Sequence, residues 1–101
     1  MIYTIFTQNE AILEGHSIFE VYEKIHEGLE FKFIESLERT YYELANGATY
    51  YRFIDVKKKY RRILLDRFPC IVIYEIEEDL VFIVSIRYER ENLQKRSVFT
   101  G

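Results

Sequence analysis

A change of hydrophobic period at Gly47 divides the chain into two halves that cannot fold alike. Before it, apolar residues recur at the spacing of a helix face. Ile12, Leu13, Ile18, Phe19, Tyr22 and Ile25 form one such stripe in residues 11–25, and Leu29, Phe33, Ile34, Leu37, Tyr41 and Leu44 form a second after Gly28. Beyond Gly47 come four short β-rich runs, 50–56, 60–65, 71–76 and 80–86, separated by charged or proline-containing turns. A further run of Ile, Tyr, Thr and Phe fills residues 1–7. Helices followed by a block of strands predict an α+β domain. The expected architecture is an N-terminal strand and an antiparallel helical hairpin packed on a four- to five-stranded, mainly antiparallel sheet.

The local signals set expected boundaries. Asn9 is a candidate N-cap for the first helix, but Gly15 costs about 1 kcal/mol inside a helix relative to alanine. Ser17-x-x-Glu20 also has the form of a capping box, so an interruption or a later start is expected. Asn46-Gly47 suits a left-handed C-cap at the end of the second helix. Glu77-Glu78-Asp79 reads as a hairpin turn between two apolar runs of similar length. Ile71 to Tyr74 and Val81 to Val84 are apolar at successive positions, so both faces of the sheet ask for cover. The hairpin covers one face; the chain's tail, a second copy or a partner segment would have to cover the other.

At 101 residues and 49% hydrophobic content the chain has material for one core. Residues 1–94 are expected to form a single domain and 95–101 a flexible tail. No apolar run approaches the roughly 18 residues that span a bilayer, and residues 1–4 lack the basic flank of a signal peptide, so a cytoplasmic protein without membrane contact is expected. Cys70 is the lone cysteine and His16 and His26 are the two histidines. They offer no metal-ligand spacing, and no metal or cofactor is expected. Cys70 reads as a small core residue and the histidines as surface or helix-end residues.

Charge is unevenly divided. Residues 1–50 carry three Lys/Arg against nine Glu, a net of 3 − 9 = −6, whereas residues 51–101 carry eleven against eight, 11 − 8 = +3. The strongest basic cluster is Lys57-Lys58-Lys59, followed by Tyr60, Arg61 and Arg62. Cations interleaved with aromatics can hold a phosphate backbone. The competing reading is a solvated turn whose lysines discourage edge-to-edge aggregation. The chain also holds nine tyrosines and eight phenylalanines. Pairs such as Tyr41-Tyr42 and Tyr50-Tyr51 cannot all face one core, so Tyr41, Tyr50, Tyr51 and Tyr74 are candidate partner contacts. Scattered surface tyrosines are the equal alternative.

The order strand, helical hairpin and antiparallel meander, with Arg61-Arg62, then Phe68-Pro69, then Ile73-Tyr74, resembles the RelE/ParE toxins of bacterial type II toxin–antitoxin systems. The resemblance covers roughly residues 3–93. Three positions depart from the family's pattern. Tyr88 stands where the family often has histidine, Arg90-Glu91 where it has paired arginines, and Cys70 where an aromatic residue is usual. The resemblance implies a toxin neutralised by a cognate antitoxin whose C-terminal segment folds on binding. For activity it implies either ParE-like inhibition of DNA gyrase by protein contact or RelE-like cleavage of messenger RNA on the ribosome. A degenerate, non-toxic binding relative is the third reading, and homodimerisation is left open. The gyrase reading needs no catalytic residues and tolerates an acidic protein. The nuclease reading would draw its phosphate-stabilising cations and proton carrier from Arg61, Arg62, Arg87, Tyr88 and Arg90, without metal. Strand positions 61 and 62 point to opposite faces, so one of that pair at most can join such a site.

Overall fold

Three strands of the sheet run consecutively as a meander, and the fourth comes from the other end of the chain. The computed structural model describes residues 2–89. Its elements are β1 (Thr4–Thr7), α1 (Asn9–Ile25), α2 (Leu29–Gly47), a 3-10 turn (Ala48–Tyr50), β2 (Tyr60–Leu64), β3 (Cys70–Glu77) and β4 (Leu80–Tyr88). The sheet order is β1-β4-β3-β2. β2 and β4 each pair antiparallel with β3, while β1 pairs parallel with β4. Two helices packed on a four-stranded mixed sheet give the α+β arrangement expected from the sequence. The tail at 95–101 lies outside the described residues.

The first helix is unbroken. Gln8 in extended conformation is its N-cap, in place of Asn9, and the Ser17-x-x-Glu20 box is unused within the helix. Gly15 is buried, and a Cβ there would sit 3.4 Å from Cδ1 of Ile86. The missing side chain lets α1 lie close to β4, and this packing outweighs the glycine's poor helix propensity. The glycine that the backbone requires is Gly28, which caps α2 with φ 89° in the left-handed region. A Cβ at Gly28 would meet nothing within 4 Å. Gly28→Ala should therefore destabilise the fold by about 1–2 kcal/mol through backbone strain alone. The urea midpoint should fall with the m-value unchanged. At the far end of α2 the expected left-handed cap is absent: Gly47 has φ −163° and the chain runs on into the 3-10 turn.

The predicted strand at 50–56 does not form. Phe53 makes an isolated bridge to Arg61, and the Ile54 N–H donates to the Tyr60 carbonyl at 2.9 Å. Asp55 then turns the chain, its carboxylate accepting the amides of Lys59 (3.0 Å) and Tyr60 (2.9 Å). These bonds offer the backbone an alternative to a ladder. The Glu77-Glu78-Asp79 hairpin forms as expected, with Glu77 opposite Leu80 and Glu78 at φ 58°.

One face of the sheet carries the core. Val72, Tyr74, Val81, Ile83 and Ile86 are buried there against Phe33, Leu44, Ala11 and Ile18 of the helices. Tyr22, Phe33 and Phe68 form an aromatic cluster with ring centroids 4.9–5.6 Å apart. The other face, with Arg62, Ile73 and Phe82, is half-buried, and Leu64 on it is 50% exposed. Among the described residues no helix is long and apolar enough to cross a membrane.

Candidate functional site

The basic residues nominated from the sequence do not converge. By register, Arg61 lies beside Tyr74 on the helix-covered face, and Arg62 lies beside Ile73 on the opposite one. Arg61 donates to the carbonyls of Thr49 (3.0 Å) and Tyr51 (2.6 Å), and its guanidinium stacks 3.9 Å from the Phe53 ring. It clamps residues 49–53 to the edge of β2. Arg62 pairs with Glu89 at 3.0 Å. Arg87 donates from Nε to Ser85 Oγ at 2.8 Å and reaches Glu14 at 4.0 Å. Tyr88 pairs with Cys70 on the helix-covered face, where burial raises its phenol pKa above the ordinary value. That shift disfavours the phenolate that base catalysis would need. Arg90 lies outside the described residues. Of the nominated arginines, Arg61, Arg62 and Arg87 are thus each held by a different partner, and Arg62 and Arg87 are the two that share a face.

Lys57, Lys58 and Lys59 occupy the turn built by Asp55, with Lys58 at φ 57°. Lys59 leans on Glu75 (3.6 Å) and over the Tyr60 ring. Lys57 and Lys58 are exposed. The four nominated tyrosines separate. Tyr74 is fully buried, its hydroxyl donating to the Ala48 carbonyl at 2.7 Å, so it is a core residue and not a partner contact. The tyrosine phenol reaches the carbonyl of Ala48 just past α2, a long-range pairing with no local sequence signal. Tyr51 bonds Glu43 at 3.1 Å, while Tyr50 is 84% exposed. Tyr41 is half-buried and shares a 2.7 Å hydrogen bond with Thr7.

Tyr41 belongs to an apolar groove of about 540 Å³ between α1 and α2. Ile12 and Phe19 form one wall and Ile34, Leu37 and Tyr41 the other; Gly15 lies in the floor. In the sequence Ile12, Phe19, Ile34 and Leu37 read only as members of the apolar helix stripes, and of these lining residues Tyr41 alone is a candidate partner contact. The overlooked signal is the width of the apolar stripe on α1: Ile12, Leu13, Val21 and Ile25 all remain exposed, more than one buried face can use.

A second overlooked residue is Glu14. Its Oε1 accepts the Ser85 hydroxyl (2.9 Å) and the Ile86 amide (3.1 Å), satisfying β4 beyond the point where β1 ends. Cys70 is core, as expected. It is fully buried, and burial pushes its thiol up to about 11. It should resist iodoacetamide at pH 8 in the native protein and react when urea unfolds the chain. Labelling followed by mass measurement would read this directly.

No protein-family model matches the chain, and no curated protein matches it in sequence. Its fold does match solved structures. A chromosomal ParDE TA system from P. aeruginosa is similar with a TM-score of 0.72 and 14% identity, over 86% of this chain and 96% of that one. The E. coli toxin RelE in the free state, as a mutant with two arginines replaced by alanine, is similar with a TM-score of 0.60 and 14% identity, over 99% and 98%. At that identity the likeness is one of fold, and the fold is RelE/ParE-like.

Proposed function

We propose that this chain is the toxin of a toxin–antitoxin module, that it acts by protein contact in the manner of a ParE-like inhibitor of DNA gyrase, and that a cognate antitoxin neutralises it. The fold likeness supports the toxin reading. The observation that carries the contact mechanism is the separate engagement of Arg61, Arg62 and Arg87. Stabilising a phosphorane needs preorganised cations aimed at one point, and these arginines are spent on carbonyls, a carboxylate and a hydroxyl.

The second reading is a RelE-like, metal-independent messenger-RNA endonuclease. The placement of Arg62 and Arg87 on one face is what favours it. Induced expression of the chain and of an Arg62→Ala/Arg87→Ala variant, with and without the adjacent open reading frame, separates the two. The contact mechanism is expected to give growth arrest, altered plasmid supercoiling and intact message in both forms. Cut message that disappears in the double variant would replace it with the nuclease. Unimpaired growth with the parent chain would leave a non-toxic binding relative.

A further inference from the structure

We infer that the free edge of β1 pairs antiparallel with β1 of a second copy of this chain, about a two-fold axis that sets Phe6 of one copy beside Phe6 of the other. The two edges of the sheet differ. At β2 the chain closes its own edge: Phe53 bridges Arg61, the Ile54 amide donates to the Tyr60 carbonyl and the Arg62 amide to that of Arg52. At β1 the closure among the described residues stops at Tyr3, whose amide donates to the Ala45 carbonyl at 2.8 Å. The Thr4 and Gln8 amides donate into β4, to the carbonyls of Asp79 and Ile83, each at 2.9 Å. Backbone groups alternate in direction along a strand, so Ile5 and Thr7 turn their N–H and C=O groups away from β4. β1 pairs with no strand on that side. Exposed edges are commonly blunted by Lys, Pro or a bulge, and Thr4-Ile5-Phe6-Thr7 carries none of these.

The ends of this short edge set the register and the occupant. Ala45 holds Tyr3 at one end and α1 begins at Asn9 at the other, so Ile5 and Thr7 are the residues left to pair. Across a two-fold axis, Ile5 of each copy exchanges both backbone bonds with Thr7 of the other, and every outward group of the edge is used. Phe6 then falls on the axis as a non-hydrogen-bonded pair, the position where Cα atoms approach to ~4.5 Å and side chains lie closest. Phe6 is 57% exposed and already stands edge-on to Phe82 with ring centroids 5.9 Å apart, so the pairing continues that contact into the same two rings of the second copy. On the helix-covered face, Ile5 of one copy comes beside Thr7 of the other, which shares its apolar surroundings with Ile12 and Tyr41. No charged residue occurs from Tyr3 to Gln8, so no like charges meet across the axis. The apolar surface offered by Phe6 and its neighbours is on the order of a few hundred Å² per copy, less than the ~800 Å² per partner of a standard stable interface. The dimer is therefore weak and concentration-dependent, with a Kd of roughly 10–100 μM.

The test is sedimentation of the intact chain over a concentration series, with hydrogen exchange measured at its two ends. Dimer should form as concentration rises, and the Ile5 and Thr7 amides should exchange about 10-fold more slowly in it. Ile5→Pro removes an outward N–H and leaves the bonds between β1 and β4 in place, while Phe6→Lys sets like charges on the axis. Each should weaken the dimer at least about 10-fold, with circular dichroism showing both variants folded. Phe6→Cys should give a disulfide-linked dimer on mild oxidation, because Cα atoms paired on the axis stand within the ~4.4–6.8 Å that a disulfide spans; Cys70 is buried and takes no part. A chain that stays monomeric at millimolar concentration would overturn the proposal, and a dimer that survives both Ile5→Pro and Phe6→Lys would place the contact elsewhere. A dimer whose Ile5 and Thr7 amides gain no protection would overturn strand pairing, and failure of Phe6→Cys to cross-link would overturn the register. Protection that appears only when the product of the adjacent open reading frame is added would give the edge to a partner strand in place of a second copy. None of these outcomes depends on whether the chain arrests growth.

Discussion

Tyr74→Ala should destabilise the domain by about 3–5 kcal/mol, the range for emptying a large aromatic site in a close-packed core. Stabilities of such domains are only about 5–15 kcal/mol, so the variant should be at the edge of folding. Tyr74 is fully buried, and its hydroxyl joins β3 to the Ala48 carbonyl just past α2. Tyr74→Phe keeps the ring and removes that hydrogen bond, at a cost of about 0.5–1.5 kcal/mol. Urea unfolding followed by circular dichroism orders the three proteins. A phenylalanine variant as stable as the parent would mean that the hydroxyl contributes nothing. Burial raises the phenol pKa of Tyr74, and of Tyr22, above the ordinary 10. Both phenols therefore keep their protons after the unfolded chain has begun to lose its own. Stability is fully present below pH 10 and falls as pH rises past it, less steeply in Tyr74→Phe.

Glu14→Ala is expected to cost about 2–3 kcal/mol, because it strands the Ile86 amide and the Ser85 hydroxyl together. Glu14→Gln keeps an acceptor oxygen and should recover most of that loss. The contact with Arg87 at 4.0 Å between partly exposed groups adds little. Hydrogen exchange locates the effect: in Glu14→Ala the Ile86 amide should exchange faster than its neighbours in β3. Equal losses in the alanine and glutamine variants would assign Glu14 a packing role, with its hydrogen bonds irrelevant.

Residues 11–44 announce their helices because each apolar stripe is long and strictly periodic, and the hairpin at residues 77–79 announces itself by its short polar turn. Three features were illegible. The unbroken passage through Gly15 and the parallel placement of β1 are decided by contacts distant in sequence, and the failure of residues 50–56 to form a strand is decided by a local side-chain bond. Gly15 is excused by Ile86, and β1 is placed by a strand about 76 positions later. The segment at 50–56 is diverted by Asp55, whose side chain competes for the amides of a ladder. The site was less legible than the fold. A row of Arg and Lys in sequence carries no information on which face each cation takes or which carbonyl captures it, as Arg61 and Arg62 show by parting to opposite faces. The groove was written in an excess of apolar residues on α1, a signal indistinguishable from core until the sheet is seen to use only part of it.

The pairing of β1 with β4 orders events in time as well as in space. β2, β3 and β4 assemble through near-neighbour turns, whereas Thr4 meets Leu80. Closing that long loop carries more closure entropy than the neighbouring turns, so the β1–β4 pairing is expected to form last. A chain emerging from the ribosome therefore has its helices first and its finished sheet last, and the groove gains Ile86 at its base only once β4 has been made. The nascent protein stays incomplete until nearly all of its described length has been synthesised.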